Sequence, residues 1–476
     1  MSSPNEELCY TSAVTLVNMI KSKEISPVEL TDAFLERIDA INPKLNAYVT
    51  LLHDDARSQA KEAEAMMQRG DELGLLHGLP VSVKDLAWTA GVRTTMGSNV
   101  FENFVPDEDA PVAARMLDAG AVNLGKTNTP EFGWLAITEN DVFGVTHNPW
   151  KLGYTSSGSS GGAASAAAAG LSPIAHGSDG GGSIRHPAAF CGIFGMKATY
   201  GMIPKHPAAD GWPTLSHNGP LTRSVADGAL AMDVMTGYDS RDMYSTPLPP
   251  QEYLTHLQDD IGQLKISWSR DLGHAVVDPE VIERFEDGVR AFEEMGFEMT
   301  EAHPDLSEAR ELFKMIMFTE AVGSDFEYLE EDGSSKMTAD LTKFITKRKD
   351  ILGRDYLAAQ GKRQKMFANV NDFFQDYDLF LTPTMAIPAF ENPKTMADYP
   401  HEVNGVEVTS TGWHPFTFPF NLTGQPAATV PCGFTQAGLP VGLQIVGHKY
   451  EDLLVMQAAA RFEEARPWTD KLPPII

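Results

Sequence analysis

The sequence predicts an α/β fold, and two patterns along the chain support that prediction. From Gly78 onward, short β-rich runs such as LPVSV, AVNLG and SPIAHG alternate with helical segments such as APVAARMLDAG. This alternation is typical of a sheet covered by helices. Before Gly78, apolar residues follow helical spacing at Val28, Leu30, Phe34, Leu35 and Ile38. We therefore expect one α/β domain over residues 1–476, with a helical segment at residues 1–75.

The later parts of the chain differ in composition and in predicted secondary structure. Residues 76–240 contain the candidate motifs, and between Gly153 and Gly201 glycine, alanine and serine dominate. We interpret this stretch as close backbone packing, because an Ala-rich helix and an apolar strand follow at once. Long amphipathic helices are predicted over residues 278–370, where they would cap the site. Residues 371–476 are expected to complete the sheet with a hairpin around Gln436–Gly438 and to end in a helix from Asp452.

Composition excludes several classes of function. The formal net charge of −28 would repel a phosphate backbone, and no cluster of Lys and Arg offsets it, so a nucleic-acid partner is not expected. No apolar run reaches the ~20 residues of a membrane span, and the start MSSPNEELCYTSAV does not resemble a secretory signal. The three cysteines, Cys9, Cys191 and Cys432, are too few and too scattered for a disulfide framework. These features predict a cytoplasmic protein that does not bind membranes.

One motif is misleading. Gly120, Gly125, Lys126 and Thr127 match the phosphate-binding pattern GxxxxGK[ST]. A phosphate-binding loop needs a strand before it and a helix after it, whereas here a helix leads in and Pro130 follows closely. We therefore do not predict nucleotide binding.

The stretch GSDGGGSIR places Ser183 directly after Gly180, Gly181 and Gly182. A run of glycine amides can converge on one small volume, which is the requirement for an oxyanion hole. A structural glycine turn followed by a serine without a catalytic role would have the same sequence, so this motif alone does not decide the function.

Two further signals favour chemistry at Ser183. In SSGSSGG, Ser159 and Ser160 precede a small-residue helix, a position that also suits plain helix capping. In LPVSVKD, Lys84 follows two apolar residues at the end of a predicted strand. Burial there would lower the pKa of the lysine and favour the neutral amine, which is a base.

Taken together, these motifs resemble the amidase-signature hydrolases. The resemblance rests on GSSGG at Gly158–Gly162 and GGSIR at Gly181–Arg185, and it extends to GLPVSVKD, GKTNTPEF, NLTGQPAATVP and GLPVGLQIVG. It covers nearly the whole chain from Gly78 and is vaguest between Gln258 and Met385. It implies a mixed, twisted central β-sheet flanked by helices, with an N-terminal helical segment and a helical cap.

The resemblance also implies roles for individual residues. Ser183 would be the acylated nucleophile, Lys84 the base, and Ser159 the serine that bridges them after an unusual cis peptide bond. The amides of Gly180, Gly181, Gly182 and Ser183 would form the oxyanion hole. Ser160, Asp179 and Arg185 would support these groups from behind. Gly133 and Trp134 would contact the substrate.

The implied reaction is hydrolysis of a non-peptide aryl or aliphatic amide through an acyl-enzyme, without a metal or organic cofactor. Three alternatives stay open. The first is hydrolysis of carbamates (a urethanase) or esters by the same triad. The second is the A subunit of a glutaminyl-tRNA amidotransferase, against which His186 counts, because those subunits usually have Gln after this Arg. The third is a catalytically silent binding protein on the same fold. The oligomeric state is left open, with a homodimer as one option.

Overall fold

The computed structural model describes residues 4–207, 212–249, 251–330, 336–348 and 350–475. Its helices are α1 Pro4–Cys9, α2 Ala13–Lys21, α3 Pro27–Leu45, α4 His53–Arg69, α5 Pro111–Asp118, α6 Gly161–Ala168, α7 Arg185–Cys191, α8 Val225–Met235, α9 Tyr253–His256, α10 Pro279–Glu294, α11 Ala309–Glu330, α12 Ala339–Thr346, α13 Gly353–Phe373, α14 Pro419–Thr423 and α15 Asp452–Ala465. Within these ranges, no helix is both long enough and apolar enough to cross a membrane.

An eleven-stranded sheet forms the centre of the molecule. Its strands, in spatial order, are β1 Tyr48–Leu51, β3 Val122–Thr127, β2 Pro80–Lys84, β6 Ile174–Asp179, β8 His217–Thr222, β7 Phe194–Lys197, β14 Ala427–Phe434, β15 Pro440–Gly447, β11 Leu379–Pro383, β9 Lys265–Trp268 and β10 Glu298–Glu301. Short pairs also form between β4 His147–Asn148 and β5 Lys151–Thr155, and between β12 Glu402–Val403 and β13 Val406–Glu407. Because β2 runs parallel to β3 and β6 whereas β6 and β8 are antiparallel, the sheet is mixed, as predicted.

Helix α3 shows how local sequence sets an element. Ser26 accepts a hydrogen bond from the Glu29 N–H at 3.1 Å, and the Glu29 carboxylate accepts one from the Ser26 N–H at 3.0 Å. This capping box, with Pro27 at the first helical position, fixes the start of the helix. The apolar residues predicted from the spacing, from Leu30 to Ile38, are buried.

The structure adds strands to two regions where the sequence suggested only helices. Within residues 1–75, β1 pairs with β3 at one edge of the sheet. Within residues 278–370, β10 pairs with β9 at the other edge. Both strands have only four residues, which is too short for a clear alternating pattern. The helices of this region that contribute residues to the candidate site are α11 and α12, whereas α13 packs against α11 and α10 contacts the sheet.

The small-residue stretch is tightly packed, as predicted. A Cβ atom added at Gly162, in the first turn of α6, would stand 2.4 Å from the backbone nitrogen of Asn128. All residues of α6 are buried. Glycine and alanine here let a helix lie directly against the loop that follows β3, which brings Ser159 and Ser160 next to the end of β2.

Candidate active site

Lys84 is the last residue of β2, and its side chain is fully buried. Its Nζ donates to the Oγ atoms of Ser159 at 2.7 Å, Ser160 at 2.9 Å and Ser178 at 3.0 Å. β2 and β6 are parallel neighbours, which brings Lys84 and Ser178 together. The contacts supply one hydroxyl for each N–H of an ammonium group. The amine thus lies out of contact with bulk water, among groups that carry protons.

The two serines that contact Lys84 lie in an unusual turn. A cis peptide bond joins Gly158 to Ser159, which confirms the predicted geometry. Ser160 occupies the N-cap position of α6, but its side chain makes no capping hydrogen bond. Its Oγ instead donates to the carbonyl oxygen of Ser178 at 3.1 Å. The role of this hydroxyl is therefore to contact Lys84 and β6, and not to cap the helix.

Ser183 lies in the turn between β6 and α7, where it is half-buried and lines a cavity. The Ser160 N–H donates to the Ser183 carbonyl oxygen at 3.2 Å. A Cβ added at Gly133, which lines the same cavity, would stand 3.3 Å from Ser159 Oγ. Ser183 is therefore held next to the segment that contains Ser159 and Ser160, the two serines that contact Lys84.

The structure differs from the predicted oxyanion hole at Gly182. The Gly182 N–H donates to Asp179 Oδ1 at 2.7 Å, so this donor is already engaged. In the described part of the chain, no residue accepts a hydrogen bond from the N–H of Gly180, Gly181 or Ser183. These three N–H groups are therefore able to donate to a ligand.

The glycines of this turn have different surroundings. Gly182 has φ +133°, and a Cβ there would stand 2.0 Å from His186 Nε2, so both the backbone and the space require glycine. A Cβ at Gly181 would stand 2.6 Å from the tip of the Phe313 ring. At Gly180 it would meet only Trp212 at 3.5 Å, an ordinary contact, so this position has room for a side chain.

Asp179 and Arg185 support the turn from inside the protein. Both side chains are fully buried, and Arg185 donates from Nε to Asp179 Oδ2 and from Nη2 to Asp179 Oδ1, each at 2.9 Å. Burial alone would raise the pKa of Asp179, but the Arg185 guanidinium holds it well below its usual value. Arg185 also donates to Gln444 Oε1 at 2.7 Å and to Asn421 Oδ1 at 2.6 Å. The carboxylate that engages the Gly182 N–H is thus a permanent charge with a fixed orientation.

A cavity of about 290 Å³ lies in front of Ser183. Seven Trp, Phe and Tyr side chains are part of its wall, and one of them is Trp134, which was predicted to contact substrate. The other rings of the wall are Trp212, Phe313, Phe318, Phe344, Tyr399 and Trp413. Phe313 and Phe318 come from α11 and Phe344 from α12. Such a wall fits an aryl or other apolar substrate group.

Two histidines, His186 and His414, also line the cavity, with ring centroids 5.0 Å apart. Burial lowers the pKa of His186 well below its usual range and that of His414 to about 4. Both rings are therefore uncharged at neutral pH. They shape the cavity without adding charge to it.

Lys126, from the misleading phosphate-loop pattern, lies in β3 with its side chain fully buried. Its Nζ donates to the Ala87 carbonyl oxygen and, at 2.9 Å, to Thr89 Oγ1. Burial lowers the pKa of Lys126 to about 8, although the charge of Asp85 opposes the shift. This lysine holds the segment after Lys84, and the loop-then-helix context of a phosphate site does not form around it.

The sequence analysis missed several residues of the site. Ser178 adjoins Asp179 in the GSDGGGSIR motif, and two-residue alternation along β6 puts its side chain on the same face of the strand as that of His176. This alternation could have identified Ser178. Asn421 and Gln444 lie inside two further motifs, NLTGQPA and GLQIVG. Lys314 and Arg348 of the cavity wall lie in the vaguest region and carried no signal. In the described ranges, no three His, Cys, Asp or Glu side chains are grouped to hold a metal ion.

Comparison with known proteins agrees with this geometry. The family model described as Amidase matches residues 29–456. An acylamidase of Rhodococcus erythropolis is 38% identical over 471 residues, covering 98% of both chains. The A subunit of a glutamyl-tRNA(Gln) amidotransferase from Halothermothrix orenii is 35% identical over 482 residues, covering 96% of this chain and 98% of the relative. Among solved structures, a bacterial aryl acylamidase of the amidase-signature family superposes with a TM-score of 0.91 at 31% identity, covering 98% of each chain. The chain therefore belongs to the amidase family, the amidase-signature hydrolases, and is an amide-hydrolysing enzyme.

Proposed function

We propose that this enzyme hydrolyses non-peptide amides, aryl amides foremost, through an acyl-enzyme on Ser183 with Ser159 and Lys84 as proton relay. The observation that carries the proposal is the contact of 2.7 Å between Lys84 Nζ and Ser159 Oγ, next to the turn that holds Ser183. A serine hydroxyl is a weak nucleophile unless a base takes its proton. Neither cavity histidine is bonded to these serines, so lysine is the base at hand.

The relay accounts for acylation with protons balanced. Uncharged Lys84 accepts the Ser159 hydroxyl proton while Ser159 accepts the proton of Ser183, and Ser183 Oγ bonds to the amide carbon. The carbonyl oxygen becomes an oxyanion that the N–H groups of Gly180, Gly181 and Ser183 stabilise. The proton on Lys84 then returns through Ser159 to the amide nitrogen, the C–N bond breaks, and the amine leaves.

Deacylation uses the same groups with water as the nucleophile. Water gives a proton to the relay, attacks the ester carbon, and the proton returns to Ser183 Oγ as the acid leaves. Protonation of nitrogen is the step that distinguishes amides from esters, because an amine is a poor leaving group unless it is protonated.

Aryl amides are favoured by the cavity wall and by relatives. The ring-lined cavity in front of Ser183 suits a planar apolar group. One relative is named an acylamidase and one solved structure an aryl acylamidase, at 38% and 31% identity. The same relay serves aryl carbamates and esters, so these stay in the substrate panel.

A second candidate function is that of an amidotransferase A subunit, which the 35% identity to such subunits supports. That role predicts glutamine as the substrate and activity that depends on partner chains. The aromatic wall is poorly matched to the short polar side chain of glutamine.

The test is a matched panel of an aryl amide, an aryl carbamate, an aryl ester, an aliphatic amide and glutamine, with wild type and Ser183→Ala. We expect turnover of the aryl substrates by wild type alone, and an intact-mass adduct on wild type that Ser183→Ala lacks. Ser165→Ala is the matched control, since it removes a hydroxyl of α6 that donates to the His147 carbonyl oxygen at 2.9 Å. Activity on glutamine alone, or only with added partner subunits, would favour the second candidate. Aryl turnover that persists in Ser183→Ala would overturn the mechanism.

A further inference from the structure

The charged residues that line the substrate cavity all have the same sign. Lys314 and Arg348 are in the wall, and among the described lining residues none is Asp or Glu. The chain as a whole has 65 acidic and 37 basic residues, so its average surface is the opposite. The positive wall is therefore a local feature of the cavity.

Arg348 has no carboxylate partner among the described residues. Its guanidinium lies over the rings of Phe318 and Phe344, with its Cζ atom at 3.9 Å and 4.3 Å from their centroids. Its Nη1 donates to the Phe344 carbonyl oxygen at 3.0 Å. These contacts fix the plane of the guanidinium and leave other N–H groups available to a ligand.

Lys314 is only weakly neutralised. The nearest described carboxylate oxygen is Glu311 Oε1 at 3.8 Å, which is held more closely by Arg310, at 2.6 Å. Partial burial and the charge of Arg310, one helical turn earlier, lower the pKa of Lys314, and Arg348 acts in the same direction. Repulsion among these three cations is relieved if an anion binds between them.

Positively charged residues also line a depression next to the cavity. A depression next to the cavity shares Trp134, Phe344 and Arg348 with it and adds Lys343 and Lys347, with Asp340 as its one described carboxylate. Positive potential raises the local concentration of anions. Anions would thus be concentrated beside Arg348, which lines both the depression and the cavity.

We propose that the preferred substrates are amides with a carboxylate at the end remote from the scissile bond, bound by Arg348 and Lys314. The aromatic rings that line the same cavity would then contact the apolar part of the substrate. An Arg side chain pairs with a carboxylate through two parallel hydrogen bonds, and the apolar surroundings strengthen that pair. This inference rests on the proposed function, because it concerns the substrate of the same site.

The experiment uses two pairs of aryl amides that differ only in charge. One pair has the carboxylate on the acyl side, as the monoanilide of a dicarboxylic acid and its methyl ester. The other has it on the amine side, as the acetamide of 4-aminobenzoic acid and its methyl ester. We expect wild type to prefer the carboxylate in at least one pair. Arg348→Gln should reduce kcat/KM for that substrate by roughly tenfold to a hundredfold, and much less for its ester.

The controls separate charge at the cavity from charge in general. Lys314→Gln should give a smaller loss in the same direction. Lys61→Gln removes the same charge from an exposed position on α4. It should leave the ratio of kcat/KM between the carboxylate and its ester unchanged in both pairs. Added NaCl should raise KM for the carboxylate and not for the ester. Preference for the ester in both pairs, or equal losses on both members in Arg348→Gln, would overturn the inference.

Failure of the proposed function is distinguishable from failure of this inference. If no amide is turned over, calorimetry on Ser183→Ala tests the site directly, with 3-phenylpropanoate and 3-phenylpropanamide as ligands. Tighter binding of the acid, lost in Ser183→Ala/Arg348→Gln, supports the anion site whatever the reaction. Equal binding of acid and amide would reject it.

Discussion

Lys84 Nζ lies 3.0 Å from the Oγ of Ser178, a contact made across the parallel strands β2 and β6. Ser178→Ala removes one hydroxyl from a fully buried amine. An unmade buried hydrogen bond costs ~1–3 kcal/mol, so we expect kcat on an aryl amide to fall roughly tenfold with little change in KM. Steady-state kinetics measure this. Ser165→Ala removes a hydroxyl of α6 that donates to His147 O at 2.9 Å, and it serves as the control. Equal losses in the two variants would indicate a packing role only.

The glycines before Ser183 should tolerate substitution unequally. Gly180→Ala places a methyl group in ordinary contact with Trp212, so the variant should fold normally and differ mainly in KM, because the cavity narrows. Gly182→Ala combines φ +133° with a clash against His186, and we expect loss of activity with a Tm lower by several degrees. Thermal denaturation and kinetics on both variants check this. A Gly180→Ala variant as unstable as Gly182→Ala would contradict it.

Lys84→Ala should impair amides more than esters. Both reactions lose the base that activates Ser183, but only the amide also loses protonation of its leaving nitrogen. The measurement is kcat/KM on an aryl amide and an aryl ester with the same acyl group. Ser183→Ala, which removes the nucleophile, should abolish both. Equal losses on the two substrates in Lys84→Ala would reject lysine as the proton donor to nitrogen.

Amidase activity should rise from neutral to alkaline pH. The relay needs the uncharged amine of Lys84, and amines lose their proton as pH rises. The cavity histidines do not titrate in this pH range, because the pKa of His414 is about 4 and that of His186 lies well below its usual range. A pH profile of kcat/KM on a non-ionising anilide tests the prediction. A flat profile would contradict a lysine base.

Glu463 should make stability depend on pH. Its Oε2 accepts a hydrogen bond from the Val225 N–H at 3.0 Å, at the start of α8, and burial raises the pKa of Glu463 from 4.5 to about 7. The native state therefore holds this proton more tightly than the unfolded state. The stabilisation that this proton adds to the free energy of unfolding is complete below pH 4.5 and is lost as pH rises through about 7.

Glu463→Gln keeps an oxygen acceptor for Val225 but has no charge. We therefore expect Tm to rise by a few degrees at pH 8, with a smaller difference at pH 5. Thermal melts at the two pH values measure this. Glu72→Gln, which removes a carboxylate from an exposed position, is the control. An equal change of Tm at both pH values would contradict the raised pKa.

The sequence predicted the parts of the site that lie within short motifs. Lys84, Ser159 and the turn before Ser183 could be singled out because a tight backbone and the proposed proton relay each require these residue types. The hydrogen bond from the Gly182 N–H to Asp179 could not be predicted, because it depends on the three-dimensional path of the turn. The mixed sheet was predicted, whereas its edge strands β1 and β10 were too short to leave a pattern.

The cavity wall was beyond prediction for a different reason. Most of its rings and both cations come from α11, from α12 and the turn after it, and from the segment before α14, which are distant from Ser183 in sequence. Amphipathic spacing shows that such helices have an apolar face, but it does not show which residues face a cavity instead of the core. Phe313 and Arg348 are ordinary helix and loop residues until the tertiary contacts are known.

The division of the cavity between two stretches of chain has a consequence for how new activities arise on this scaffold. The residues of the proposed proton relay lie between Lys84 and Arg185, and most rings and both cations of the wall lie after residue 300. Variation in the second stretch changes which molecules are cut while leaving intact the way in which they are cut. A library confined to α11, α12 and residues 396–414 would therefore sample substrates without sampling loss of catalysis.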